Sequence, residues 1–216
     1  MTGAGLDDDM KGDPSGSSSV YRFWMPKGTS RNVVFLTDGN KSPIIWEHNY
    51  QYRGNWRNWL TCLSGMGVRC PMCDFHEKEG KYGRYKIQLF TVIDCNKFTD
   101  KKGVVRENEK RVVCAKKDSC EVIARRWKTL MENGNTLRYA MFKVHRGNSD
   151  KSAGVGDDYE FIKMVDPATI ADPAPMDYKE LFAPQPEKMA RVVEILSSKV
   201  AAGEDAPEGT DTSVAY

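Results

Sequence analysis

Residues 85–94 read YKIQLFTVID. This run has strand character, and a basic loop, NKFTDKKG at 96–103, leads from it to two further strand-like runs, Val104–Val105 and Arg111–Ala115. Upstream the texture differs. Pro43–Gly80 has few β-branched runs and no clean period, but it holds five cysteine or histidine positions, which suggests an insertion organised by a metal. Before it, Tyr21–Met25 and Asn32–Thr37 read as short strands joined by the turn Pro26-Lys27-Gly28-Thr29. Downstream, Asp118 and Glu121 have capping-box spacing, and Cys120, Ile123, Ala124, Trp127 and Leu130 recur at helical intervals up to Asn133-Gly134. Strands are expected at Leu137–Arg146 and Tyr159–Val165, separated by the polar loop GNSDKSAGVGDD. Strands, insertion, strands, helix, strands is an order that fits an OB-fold barrel. The expected fold class is therefore mainly β with α: an OB-fold barrel with an inserted zinc-binding subdomain and a C-terminal helix.

Four segments follow from composition. Residues 1–19 are an acidic, Gly- and Ser-rich stretch expected to be disordered. Residues 20–166 form the OB domain, with the zinc insertion at about 43–80. Residues 167–200 are a proline-punctuated linker and an amphipathic helix opening near Pro186, with Met189, Val192, Val193 and Leu196 on one face. Residues 201–216 are an acidic tail, also expected to be disordered. No run of eighteen apolar residues exists, and the N-terminus lacks a basic flank and apolar stretch, so neither a membrane span nor secretion is expected. In a reducing cytoplasm the six cysteines are ligands or buried thiols rather than disulfides. The net charge of +2 divides into −3 for residues 1–19, +9 for 20–200 and −4 for 201–216. A basic body with acidic ends suits a polyanion binder.

Cys70-Pro71-Met72-Cys73 is a knuckle that presents two sulfurs to one ion. Cys62 lies eight positions earlier and His48 fourteen before that. His76 is a local rival for the fourth position. A ligand so close behind the knuckle crowds the turn, whereas His48 ties the insertion to the barrel, so His48 is favoured. Four protein ligands leave no open position, and the expected cofactor is one structural zinc ion. Cys95, Cys114 and Cys120 read as small buried hydrophobes.

Sequence-independent binding of single strands needs a cationic track and aromatic faces for bases. Here the two interleave at Tyr21-Arg22-Phe23-Trp24, at Lys81–Lys86 and at Arg138-Tyr139, and the insertion adds Trp46, Tyr50, Tyr52, Trp56 and Trp59. The expected stacking residues are Trp24, Tyr50, Tyr52, Trp56, Tyr82 and Tyr85; the expected phosphate contacts are Lys27, Arg31, Arg84, Lys86, Arg138 and Arg146. No P-loop, G-x-S-x-G or H-E-x-x-H stretch is present, and there is no carboxylate cluster of nuclease type. Neither an enzyme nor a small-molecule substrate is expected.

The run YRFWMPKGTSRNVVFLTDG at 21–39, WEH at Trp46–His48, NW at Asn55–Trp56, the lone Cys62, CPMC at 70–73 and FTVID at Phe90–Asp94 together resemble the gp32-like single-stranded-DNA-binding proteins of T-even-type tailed phages. The resemblance covers residues 20 to about 165. It implies a zinc subdomain within an OB fold, with zinc on His48, Cys62, Cys70 and Cys73. It also implies an acidic C-terminal tail that contacts replication and recombination proteins. The basic N-terminal arm of that family is replaced here by the acidic residues 1–19. The implied function is helix-destabilising coating and protection of single-stranded DNA in phage DNA replication, recombination and repair, in the cytoplasm of an infected bacterial host. The competing expectation is a zinc-ribbon adaptor that acts through protein partners.

Overall fold

A computed structural model describes residues 22–52, 55–99 and 103–202, with the backbone alone at 52 and 55–58. The acidic segments expected at 1–19 and 201–216 lie outside these residues, apart from Ala201 and Ala202. In chain order the strands are β1 (Ser30–Phe35), β2 (Ile44–Tyr52), β3 (Asn55–Thr61), β4 (Arg84–Asp94), β5 (Phe98–Thr99), β6 (Val105–Arg106), β7 (Glu109–Ala115), β8 (Ala140–His145) and β9 (Asp158–Met164). The helices are α1 (Pro71–Glu79), α2 (Lys117–Glu132), α3 (Tyr178–Leu181) and α4 (Pro186–Ala201). No described helix is long and apolar enough to cross a membrane. The protein is mixed α/β with mostly antiparallel sheet.

The chain forms two compact units. One consists of 22–44 and 88–177. Its strands lie in the order β7-β4-β1-β8-β9, and every ladder is antiparallel. The hydrophobic run of β4 takes the centre because both its edges are paired: Val92 faces Phe35 on one side and Arg111 on the other. Phe35 is the hub of the core. Its ring meets Phe90 at 5.8 Å and Phe142 at 5.5 Å, both edge to face, and Tyr159 at 6.1 Å. That edge-to-face geometry is the one aromatic quadrupoles favour. Helix α2 connects β7 to β8 and buries Ile123 and Leu130 against this core.

The expected closed barrel is not observed. No ladder joins β7 to β9 among the described residues. The chain around Arg22 takes the outer edge of β7 instead: Arg22 makes a parallel bridge to Val112, and Phe23 N donates to Val112 O at 2.8 Å. The same segment continues to the 147–157 loop, where Met25 N donates to Gly154 O at 3.0 Å. This tethering explains why Tyr21–Met25, expected as a strand, has no regular ladder where it is described. Only Tyr159 of β9 is fully buried, and Phe161 is 41% exposed.

Helix α2 also starts elsewhere than expected. Lys116 is its N-cap and makes no side-chain cap bond, so Asp118 lies inside the first turn. There its carboxylate complements the helix dipole rather than capping an amide. Gly39 packs beneath α2; a Cβ there would stand 2.5 Å from Trp127 Cε3. Gly39→Ala is therefore expected to destabilise this unit by about 1–3 kcal/mol through overpacking. Urea unfolding checks this, and an unchanged midpoint contradicts it.

The other unit consists of 45–87 and 178–202 among the described residues. The β2–β3 hairpin pairs His48 with Leu60, and β2 lies beside β4. Helix α1 begins with Pro71 at its first turn and ends at Gly80, whose φ of +69° suits a residue without Cβ. Helix α4 buries Met189, Val192 and Leu196 in the same cluster as Leu60, Leu63, Met72 and Phe75. Each such side chain stabilises by about 1.5–3 kcal/mol. Packing is what holds α4 in place, because a lone helix of this length is marginal in water.

Candidate metal centre

The hairpin and α1 place four side chains around one point. His48 sits mid-strand on β2, and Cys62 follows the end of β3, where its N donates to Trp46 O at 2.8 Å. Cys70 is the N-cap of α1 and Cys73 lies in its first turn, so the positive end of the helix dipole faces both sulfurs. One ligand atom from each residue lies within 4.8 Å of the others. Cys62 Sγ is 3.8 Å from Cys70 Sγ and 3.6 Å from Cys73 Sγ; His48 Nε2 is 3.4 Å from Cys70 Sγ and 3.6 Å from Cys73 Sγ. His48, Cys62 and Cys70 are buried and Cys73 is half-buried. The cluster suits one metal ion.

The surroundings fix the ring and the charge. His48 Nδ1 lies 2.9 Å from the Tyr82 carbonyl, which can only accept, so Nδ1 carries the proton and Nε2 turns its lone pair to the sulfurs. Tyr82 holds that carbonyl in place with a left-handed φ of 59°. His76, the rival ligand, is exposed, and its Nδ1 lies 3.2 Å from Lys81 O. Burial pushes the Cys73 thiol up to about 12. At Cys62 burial acts in the same direction, but hydrogen bonds from Cys73, Ser64 and Cys70 outweigh it and lower the thiol pKa. In the bare cluster Cys73 thus keeps its proton, and a divalent cation would displace it.

Burial lowers the pKa of His48 below its usual 6.5, and the Tyr82 carbonyl opposes this only in part. Below pH 6.5 the unfolded chain takes up a proton here that the folded chain resists, so stability falls as pH falls through that value. Protonation also removes a ligand. Acidification from pH 7 to 5 is expected to weaken this unit and its metal affinity together; circular dichroism and metal content measured across that range check it, and greater stability at pH 5 contradicts it.

No protein-family model matches this chain, and no curated protein matches it either.

The expected nucleic-acid contacts are placed unevenly. Tyr50, Tyr82 and Tyr85 are buried. Tyr82 stacks on Phe75 at 6.2 Å, and Tyr85 Oη donates to Glu47 Oε1 at 2.8 Å. Their rings serve the interior: on β2 and β4 Tyr50 and Tyr85 alternate inward with His48 and Ile87, and Tyr82 packs inward just before β4. The side chains of Tyr52 and Trp56 lie outside the described residues. Lys27 pairs with Asp150, and Arg31 Nη1 holds Asp94 at 2.7 Å. Arg138 donates to Pro173 O at 3.2 Å. Arg146 donates to Met25 O and Ser152 O and lies 5.4 Å from the ring of Trp24, which is 45% exposed.

Arg84 and Lys86 differ from the rest. Both are exposed on β4, and both lie over the half-buried ring of Trp46, at 4.5 and 5.0 Å. Two contributors to the metal centre carry no local sequence signal: the Tyr82 carbonyl and Met189, whose Sδ is 3.4 Å from Cys70 Sγ although the two are 119 positions apart.

Proposed function

We propose that this protein binds single-stranded DNA without catalysing a reaction, and that a structural zinc ion holds the unit that carries its main contact surface. The observation that supports this reading best is the group Trp46, Arg84 and Lys86: one indole with two exposed cations over it. Unpaired bases stack on aromatic rings and on guanidinium planes alike, while cations hold the phosphates. Trp24 beside Arg146 is a second pairing of the same kind in the other unit.

Zinc fits the donor set. Bonds of about 2.3 Å to sulfur and about 2.0 Å to nitrogen in a tetrahedron require edges of roughly 3.8 Å between sulfurs and 3.5 Å between sulfur and nitrogen. The separations of 3.6 and 3.8 Å, and of 3.4 and 3.6 Å, match both. When bound, the ion supplies a crosslink; the chain's own residues make every contact to nucleic acid.

The spatial order β7-β4-β1-β8-β9, with a helix between the third and fourth strands in sequence, supports a finer reading as an OB-type sheet left partly open. With the sequence resemblance, it supports membership of the T-even-type phage single-strand-binding family. In that role the protein would coat DNA strands during replication, recombination and repair in the host cytoplasm, and the acidic tail would recruit replication proteins.

A gel-shift titration of an oligo-dT against a duplex of equal length tests the reading. Preference for the single strand is expected; equal or tighter duplex binding contradicts it and favours an adaptor acting through protein partners. Trp46→Ala removes a stacked base worth about 1–3 kcal/mol and should weaken binding by roughly 5- to 150-fold with the fold intact.

A further inference from the structure

We infer that Cys73 is an oxidation site through which a hydroperoxide unloads the metal, forming a disulfide with Cys62. The four ligands are not equally shielded. His48 is buried and held by Tyr82 O, and Cys70 is covered by the fully buried Met189. Cys73 alone is half-buried, and it lines a cavity of about 170 Å³ together with Ser64, His76, Glu77 and Arg84. Ser64 Oγ donates to Cys73 Sγ at 3.3 Å, so the sulfur keeps a polar neighbour at the cavity wall. Cys62 Sγ, 3.6 Å away, is within reach as a resolving thiolate.

The chemistry balances with hydrogen peroxide as the oxidant. The Cys73 thiolate attacks one peroxide oxygen, the O–O bond breaks, and hydroxide leaves, giving a sulfenic acid. The Cys62 thiolate then attacks the Cys73 sulfur and a second hydroxide leaves. Two thiolates lose two electrons to the peroxide, and two protons from solvent convert both hydroxides to water. Only His48 and Cys70 then remain as donors, too few to hold a zinc ion. Because Cys62 N bonds Trp46 O, loss of the centre also loosens the strand that carries Trp46.

The inference rests on the zinc reading and not on the nucleic-acid reading. Zinc content of the full chain is measured first, then dilute hydrogen peroxide is added, released zinc is followed with a chromophoric chelator, and disulfides are mapped by peptide mass. One zinc per chain is expected to leave in step with a Cys62–Cys73 disulfide. Met189→Ala is expected to add Cys70 to the reacting thiols, whereas Met189→Leu, which keeps the apolar cover, leaves the order unchanged. Oxidation confined to Cys95, Cys114 or Cys120 with zinc retained, or first pairing of Cys62 with Cys70, overturns the proposal. A chain that takes up no zinc fails at the first step and removes the zinc reading as well, while oligo-dT binding is judged separately.

Discussion

Removal of the metal by a chelator is expected to unfold residues 45–87 together with α4, while β1, β7, α2, β8 and β9 keep their structure. The two clusters of buried side chains differ in kind. The one around Phe35 is built from aromatic and aliphatic residues with no metal ligand. The other includes Cys62 and Cys70 among its buried members and has Cys73 packed against it. Zinc binding to four such ligands contributes about 10–16 kcal/mol at neutral pH. A whole domain is stable by only about 5–15 kcal/mol, so on the proposed zinc reading this unit would not stay folded without the ion. Helix α4 should be released too, since Met189 lies against Cys70 and its other buried residues pack on the same cluster. Hydrogen exchange read peptide by peptide checks this. Protection should collapse in 45–87 and 186–201 and return when zinc is added back; equal protection with and without chelator contradicts it.

Asp94→Ala is expected to destabilise the other unit by about 3–5 kcal/mol, the range for breaking one side of a buried ion pair. Asp94 is fully buried at the end of β4. Its Oδ2 accepts from Arg31 at 2.7 Å and from Arg111 at 3.2 Å, and its Oδ1 accepts from Asn96 Nδ2 at 3.0 Å. Arg111 is itself buried, and burial lowers its pKa while Asp94 works against that shift. Without the carboxylate two guanidiniums would face each other beside Phe98, whose ring lies 4.7 Å from Arg111 and 5.5 Å from Arg31. Asp94→Asn, which keeps an acceptor, should lose less. Urea unfolding of the three proteins gives the order; a wild-type midpoint for Asp94→Ala contradicts it.

The clustering of His48, Cys62, Cys70 and Cys73 is legible because the spacing of such side chains carries it, and the choice of His48 over His76 follows from where each would pull the chain. The strand Arg84–Asp94 and the helix from Pro186 are legible because pattern and punctuation agree. The β2–β3 hairpin is harder to see within a segment that reads as irregular. It does leave a signal: Trp46, His48, Tyr50 and Tyr52 occupy every second position between polar residues. Helix α1 likewise has Pro at its start and Gly just past its end, but the knuckle overlaps its first turn and reads as a loop. Tyr50, Tyr82 and Tyr85, expected to stack on bases and found buried, depart for a different reason. Alternation says which residues share a face, and only tertiary packing decides which face is covered. The docking of α4 on the metal unit depends on contacts between distant positions, which no local pattern carries.

The most direct test is a tryptophan-fluorescence titration of the zinc-loaded protein with oligo-dT at several salt concentrations. A saturating change is expected, with an affinity that falls linearly with salt in log–log form. In Arg84→Ala, which neutralises one phosphate fewer, the slope should be shallower by about 0.7. A protein that ignores oligo-dT at modest ionic strength while retaining its zinc contradicts the account.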